Sequence, residues 1–142
     1  MRLERRKVGK QFKISAFIRK KKVGSIFFVK VDEEYKDKRV TLYFEGVATK
    51  ATVYFNGCLL KHSFTGFTPF EVDITDCVKF GEKNLIAVHV VLGENCGRWY
   101  SGGGIFRNVR LVYKNKTHIS YDGVWIKQLA VGKGSAVFEA NV

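Results

Sequence analysis

From Val23 onward the chain alternates apolar and polar residues in short runs with a period of two. That period puts successive side chains on opposite faces of an extended strand, whereas a helix would repeat every 3.6 residues. Val40-Thr41-Leu42-Tyr43-Phe44-Glu45 sets Val40, Leu42 and Phe44 on one face and Thr41, Tyr43 and Glu45 on the other. Ala51-Thr52-Val53-Tyr54-Phe55 repeats the pattern and runs into Asn56-Gly57, a dipeptide suited to the positive φ angles of a tight hairpin turn. Phe70-Glu71-Val72-Asp73-Ile74 alternates again. Leu85 to Leu92 is almost wholly apolar, which predicts a strand covered on both faces. Val109 to Tyr113, Gly123-Val124-Trp125-Ile126 and Ser135-Ala136-Val137-Phe138 continue the series. A single helical turn is expected around Thr75-Asp76-Cys77-Val78, capped by Asp73 or Asp76 and stopped by Gly81. Strand-like runs divided by Gly, Asn and Asp turns predict an all-β antiparallel sandwich or barrel with little helix.

The 142 residues suffice for one full domain but not two, and 46% hydrophobic with 27% charged residues is the balance of a chain that buries a core. No apolar run approaches the roughly 18 residues of a membrane-spanning helix, so no membrane contact is expected. The first residues lack the basic-then-apolar layout of a secretion signal, and the compartment stays open. Cys58, Cys77 and Cys96 stand far apart with no CxxC pair, which argues against a disulfide framework or a zinc knuckle. The expectation is reduced, buried thiols.

The net charge of +12 is unevenly spread. Residues 1–22 hold ten Lys/Arg and one Glu, and the remaining body is close to balanced. Basic runs of this kind bind phosphate backbones through counterion release, or serve as solvated tails. No recognition helix or aromatic RNA-binding signature accompanies the arm, so nucleic acid is not the expected partner. Phe12 to Ile18 lies between the charges and could dock as a strand.

Several motifs invite chemistry and lose to simpler accounts. Ser101-Gly102-Gly103-Gly104 resembles a phosphate loop, but a β-branched, strand-like run follows it instead of a helix, so a close-packed turn is the better reading. His62, His89 and His118 show no metal-ligand spacing, and no metal or other cofactor is expected. Of Glu45, Glu71, Asp73, Asp76, Glu82 and Glu94, most fall on outward strand positions or in turns, where solvation explains them without a catalytic pair. The segment Asn95-Cys96-Gly97-Arg98-Trp99-Tyr100 is different. Aromatic faces stack on the C–H surface of sugar rings and an Arg fork binds hydroxyls or a carboxylate, so Asn95, Arg98, Trp99 and Tyr100 are the carbohydrate-contact candidates. The competing account is that Trp99 plugs one end of the sandwich.

Five blocks, in order, carry a resemblance. They are Leu42-Tyr43-Phe44-Glu45-Gly46-Val47; Ala51 to Gly57; His62 with Gly66-Phe67-Thr68-Pro69-Phe70 through Asp76; Gly81 to Val88; and Arg98-Trp99-Tyr100-Ser101-Gly102-Gly103-Gly104-Ile105-Phe106-Arg107-Asn108-Val109. Together they resemble the N-terminal domain of family 2 glycoside hydrolases, the β-galactosidase and β-glucuronidase group. The upstream stretch is shorter and richer in lysine than is usual there, and the turn after His62 lacks the usual paired glycines. The resemblance implies a jelly-roll β-sandwich of the sugar-binding type, followed in the family by an immunoglobulin-like domain and a barrel bearing both catalytic glutamates. It also implies that Arg98 and Trp99 can lean toward the barrel's mouth. On that basis residues 1–22 are a basic arm, 23–115 the jelly roll, and 116–142 a linker and the start of a following domain. The implied function is non-catalytic support or sugar binding in a glycosidase; the alternatives are a free-standing carbohydrate-binding module and, behind it, nucleic-acid binding through the arm. Expected partners are the other domains of the parent enzyme, a carbohydrate, and a second copy through self-association or a swapped tail.

Overall fold

The computed structural model describes residues 15–19, 22–92 and 102–142. Twelve strands are formed among them. They are β1 (Ser15–Arg19), β2 (Lys22–Lys30), β3 (Arg39–Phe44), β4 (Val47–Ala48), β5 (Lys50–Phe55) and β6 (Cys58–Ser63), then β7 (Phe70–Asp73), β8 (Lys83–Val91), β9 (Gly104–Ile105), β10 (Val109–Lys114), β11 (Trp125–Gly132) and β12 (Ser135–Asn141). A five-stranded sheet runs β1-β2-β8-β5-β6 and a three-stranded sheet runs β10-β3-β7, with every neighbouring pair antiparallel. Part of the basic arm does dock as a strand: β1 pairs with β2 at the sheet's edge.

The alternation read from the sequence becomes the core. Phe27 and Val29 of β2, Val53 and Phe55 of β5, and Ile86, Val88 and Val90 of β8 project from one sheet. Val40, Leu42 and Phe44 of β3, Phe70 and Val72 of β7, and Val109 and Leu111 of β10 belong to the other, and all join one hydrophobic cluster. Phe44 and Phe70 stack at 5.0 Å within it. Each fully buried side chain of this size adds roughly 1.5–3 kcal/mol of hydrophobic stabilisation. This is an all-β sandwich.

Two local expectations need correction. The strand β8 is not covered equally on both faces: Asn84, Ile86, Val88 and Val90 are buried, while Leu85, Ala87, His89 and Val91 are only half-buried. Its central place in the sheet supplies lateral cover to the outer side chains without a second layer. The helical turn around Thr75–Val78 is a plain turn, closed by the Cys77 N–H donating to the Ile74 carbonyl at 3.0 Å. Asp73 takes the Thr75 N–H at 2.9 Å and the Thr75 hydroxyl at 2.6 Å, which fixes an Asx-type turn in place of a helix start. The one helical element among the described residues is a 3-10 turn, Glu33–Tyr35, held to the sandwich by the stacking of Tyr35 on Tyr113 at 3.7 Å.

The outer face of the three-stranded sheet is covered by its own side chains. Lys114 on β10 and Glu71 on β7 form an ion pair whose side chains are 9% and 10% exposed, and by register it crosses β3 at the level of Thr41. Thr41 and Val112, which the alternation points outward, are buried accordingly. Downstream, the Tyr121 ring lies 5.9 Å from Tyr43 on the same face. Burial, then the neighbouring Tyr43, pushes the Tyr121 hydroxyl up. Beyond it, β11 and β12 form a separate hairpin in which every residue is exposed.

Candidate functional site

The four carbohydrate-contact candidates, Asn95, Arg98, Trp99 and Tyr100, lie outside the described residues, as does Cys96. What the structure gives is the mount from which their segment springs. It leaves after Leu92, at the end of β8, and returns at Gly102 ahead of β9. The two ends touch: a Cβ on Gly103 would sit 1.8 Å from Leu92 Cδ2 and 3.2 Å from the Ala48 carbonyl oxygen. A side chain on Gly103 would have to displace Leu92, so the close packing expected holds at that glycine, whereas a Cβ on Gly102 would meet nothing within 4 Å; β9 then pairs with β4 instead of opening a helix.

Around this mount stands an aromatic group that the periodicity did not single out. Phe106 follows β9 directly, and its N–H reaches the Gly46 carbonyl at 3.4 Å. A Cβ on Gly46 would come 2.7 Å from the Phe106 ring, so glycine is what lets the ring lie down on the backbone. Phe67 meets Phe106 edge to face at 5.9 Å, and the Arg107 guanidinium stands 5.3 Å over the Phe106 ring. Phe67 and Phe106 remain 59% and 40% exposed. Exposed aromatic faces beside an arginine are the chemistry that binds the C–H face and hydroxyls of a sugar. The signal for this group in the sequence was a pair of Phe residues, Phe64 and Phe67, in an otherwise small and polar loop, together with the Phe106-Arg107 step.

The other candidates resolve into structural roles. Thr52 on β5 lies opposite His62 on β6 and His89 on β8, so two histidines flank one threonine across the outer face. The Thr52 hydroxyl and His62 Nδ1 are hydrogen-bonded at 3.0 Å, while His118 contacts the Asn115 carbonyl far along the chain. Among the described residues no three His, Cys, Asp or Glu side chains gather to hold a metal. Three of the six carboxylates are engaged as well, and Glu94 lies outside the described residues. Glu45 pairs with Arg110 and accepts from Asn108 at 3.0 Å. Glu71 pairs with Lys114. Asp73 pairs with Arg39 at 2.5 Å. Partial burial works against the charge on Asp73, but the two Thr75 hydrogen bonds and Arg39 outweigh it and hold the carboxyl below the usual range.

The expectation of buried thiols fails at Cys58. It is exposed and Cys77 is half-buried, both free, because Cys58 opens the edge strand β6 immediately after the Asn56-Gly57 turn. That turn is formed as predicted, with φ of 50° at Asn56 and 87° at Gly57.

Two packed antiparallel sheets around one core define a β-sandwich module. Comparison with known proteins agrees. Residues 15–95 match the family model described as the glycosyl hydrolase 2 galactose-binding domain-like family, and the chain belongs to that family. It is 48% identical over 99 residues to a beta-galactosidase of Thermoanaerobacter pseudethanolicus, covering 63% of this chain and 13% of that protein. It is 39% identical over 104 residues to a beta-glucuronidase of Formosa agariphila, covering 64% and 11%. A solved glycosyl hydrolase family 2 member from Bacteroides cellulosilyticus superposes with a TM-score of 0.68 at 35% identity, covering 75% of this chain and 15% of that one. The chain thus spans about an eighth of the length of the curated relatives it matches.

Proposed function

We propose that this chain is the non-catalytic, sugar-facing and scaffolding domain of a family 2 glycosidase of β-galactosidase or β-glucuronidase type, an enzyme that hydrolyses terminal β-glycosidic bonds. The observation that carries this reading is the use made of the acids. A glycosidase needs two carboxyl groups facing a substrate roughly 5–10 Å apart. Here Glu45, Glu71 and Asp73 are each committed to a basic partner within the sheets, while exposed aromatic and arginine side chains collect around the loop mount. Catalysis then belongs to residues of the larger enzyme, and Asn95, Arg98, Trp99 and Tyr100, together with Phe67, Phe106 and Arg107, shape the entrance its substrate passes. In this reading residues 1–22 form the basic arm, 23–115 the jelly roll, and 116–142 the link into an immunoglobulin-like domain that would cover the β11–β12 hairpin.

Titrating the isolated chain with β-galactosides and β-glucuronides tests the division of labour. A supporting domain stays silent. Millimolar or tighter binding that is lost in Trp99→Ala would instead make it a self-sufficient carbohydrate-binding module. Hydrolysis of a chromogenic galactoside by the purified chain would overturn both. The bare hairpin has its own consequence: by register Ile126, Val131, Ala136, Phe138 and Ala140 share one face, and such a face pairs with a second copy when its own neighbour is missing. Light scattering across a concentration series should show dimer; a monomer at high concentration removes the self-association.

A further inference from the structure

We propose that Cys58 and Cys77 are a redox-responsive pair that closes to an intramolecular disulfide on reaction with a small-molecule disulfide such as oxidised glutathione. The placement is built by the asparagine just before the turn. The Asn56 N–H donates to the Leu85 carbonyl at 2.8 Å, and its side-chain oxygen accepts from the Leu85 N–H at 2.9 Å. Its Nδ2 donates to the Cys77 carbonyl at 2.9 Å and to Asn84 Oδ1 at 2.8 Å. Four bonds thus lock the hairpin tip against the turn that carries Cys77, and Cys58 follows two residues later on the first position of β6. Both cysteines are free, and the Cys58 side chain is near enough to Cys77 to push the Cys77 thiol up. The bond from Asn56 to the Cys77 carbonyl sets the backbone of one cysteine beside the hairpin tip that carries the other, the neighbourhood a disulfide needs.

Exposure assigns the order of events. The accessible Cys58 loses its proton and attacks one sulfur of oxidised glutathione, forming a mixed disulfide and releasing one glutathione, which takes up the proton. Cys77 then attacks the Cys58 sulfur; the Cys58–Cys77 bond forms, and the second glutathione leaves with the Cys77 proton. Two protein thiols are oxidised and one glutathione disulfide is reduced to two thiols. Burial, then the adjoining Cys58 thiol, pushes the Cys77 thiol up, which leaves the first attack to Cys58. The bond would tie the outermost strand of the five-stranded sheet to the turn ahead of β8, closing a loop that contains β6 and β7. A sheet edge, the place most exposed to non-native pairing, would be stapled under oxidising conditions.

The full chain is incubated over a series of oxidised-to-reduced glutathione ratios and mapped by peptide mass without reduction. The expected product is a linked peptide containing Cys58 and Cys77, no growth in molecular size, and a Tm higher by several degrees that dithiothreitol returns to its starting value. Cys77→Ser, checked for native circular dichroism, should accumulate glutathione on Cys58; Cys58→Ser should accumulate none at Cys77. Glutathione retained on Cys58 of the wild-type chain, a Cys58–Cys96 link, or a bond between two chains would each overturn the proposal. None of these readouts depends on sugar binding or on the parent enzyme.

Discussion

The molecule contains two β-hairpins that read alike in sequence and differ in everything that gives a hairpin stability. The first, β5–β6, turns at Asn56-Gly57 and sits in a five-stranded sheet, with Ala51, Val53 and Phe55 buried in the core. The second, β11–β12, turns beside Gly134 at a φ of 86°, and its Trp125, Ile126, Val131 and Phe138 are each at least 59% exposed. Both have apolar residues at strand spacing and a glycine where the turn needs one. Period-two patterning therefore specifies an extended backbone, but it does not say what will cover the apolar face. A two-stranded ribbon on its own is marginal in water, and only the first has neighbours among the described residues.

The comparison breaks most sharply under truncation of one aromatic in each. Phe55→Ala removes a fully buried ring from the contact of the two sheets and should cost about 3–5 kcal/mol in chemical denaturation, enough to unfold a marginal domain. Phe138→Ala, from a ring that is 59% exposed, should change the stability of the sandwich by less than about 0.5 kcal/mol. A loss of several kcal/mol at Phe138 would mean that the second hairpin belongs to the same cooperative unit. The same substitution should also weaken any dimer that the hairpin makes, so stability and size can be read on one sample.

How much of this was legible in the sequence follows the same line. The strands β3, β5, β7, β8, β10, β11 and β12, the Asn56-Gly57 turn and the inward faces of β3 and β5 could be read directly, because alternation and turn chemistry are local. The role of Asn84 could not. It lies inside a block that reads as the polar lead-in to a strand, yet it is wholly buried and makes four hydrogen bonds, to both backbone groups of Lys79, to the Glu82 carbonyl and to Asn56. A buried amide tolerates that position only because the preceding turn and the distant Asn56 converge on it, and that convergence is not a property of spacing. The candidate site divides in the same way. Its loop was recognisable from residue types, but the Phe67–Phe106 contact at its base joins residues from two separate loops, and only the fold brings them together.

A second test addresses what covers a sheet when no neighbouring layer does. On the three-stranded sheet, one buried ion pair replaces a second layer, so Lys114→Ala strips Glu71 of its countercharge in a site where the other carboxylate oxygen, Oε1, already lacks a partner among the described residues. The expected cost is about 3–5 kcal/mol, far more than an exposed pair would show. Lys114→Met combined with Glu71→Leu should restore most of that stability, since a buried pair contributes little beyond an apolar replacement of similar size. A double variant as unstable as the single one would show that the charges themselves, and not the cover they provide, hold this face.

Among the changes within the sandwich, the smallest effect is expected at the turn that closes β7 against β3. Asp73 pairs there with Arg39, through side chains 42% and 51% exposed, so Arg39→Ala should cost less than about 1 kcal/mol and less still in high salt. The better signature is in the pH dependence. Asp73 is held below its ordinary value by Thr75 and Arg39 against the opposing effect of burial, so its ionised form is favoured in the folded state. A group with a depressed folded value stabilises fully above its unfolded pKa, near 4, and loses that contribution as the pH falls through the folded value. Asp73→Ala should therefore be less stable than the wild type at neutral pH, by about 1 kcal/mol for the lost hydrogen bonds. The two denaturation midpoints should converge as the solution is acidified below that range. A chain lacking the β11–β12 hairpin should keep the wild-type acid slope through this window, because the Asp73 carboxylate and both of its partners lie within the sandwich. If deleting the hairpin flattened the slope as Asp73→Ala does, the two regions would be electrostatically coupled, and the contrast between a self-covered sandwich and an uncovered ribbon would have to be abandoned.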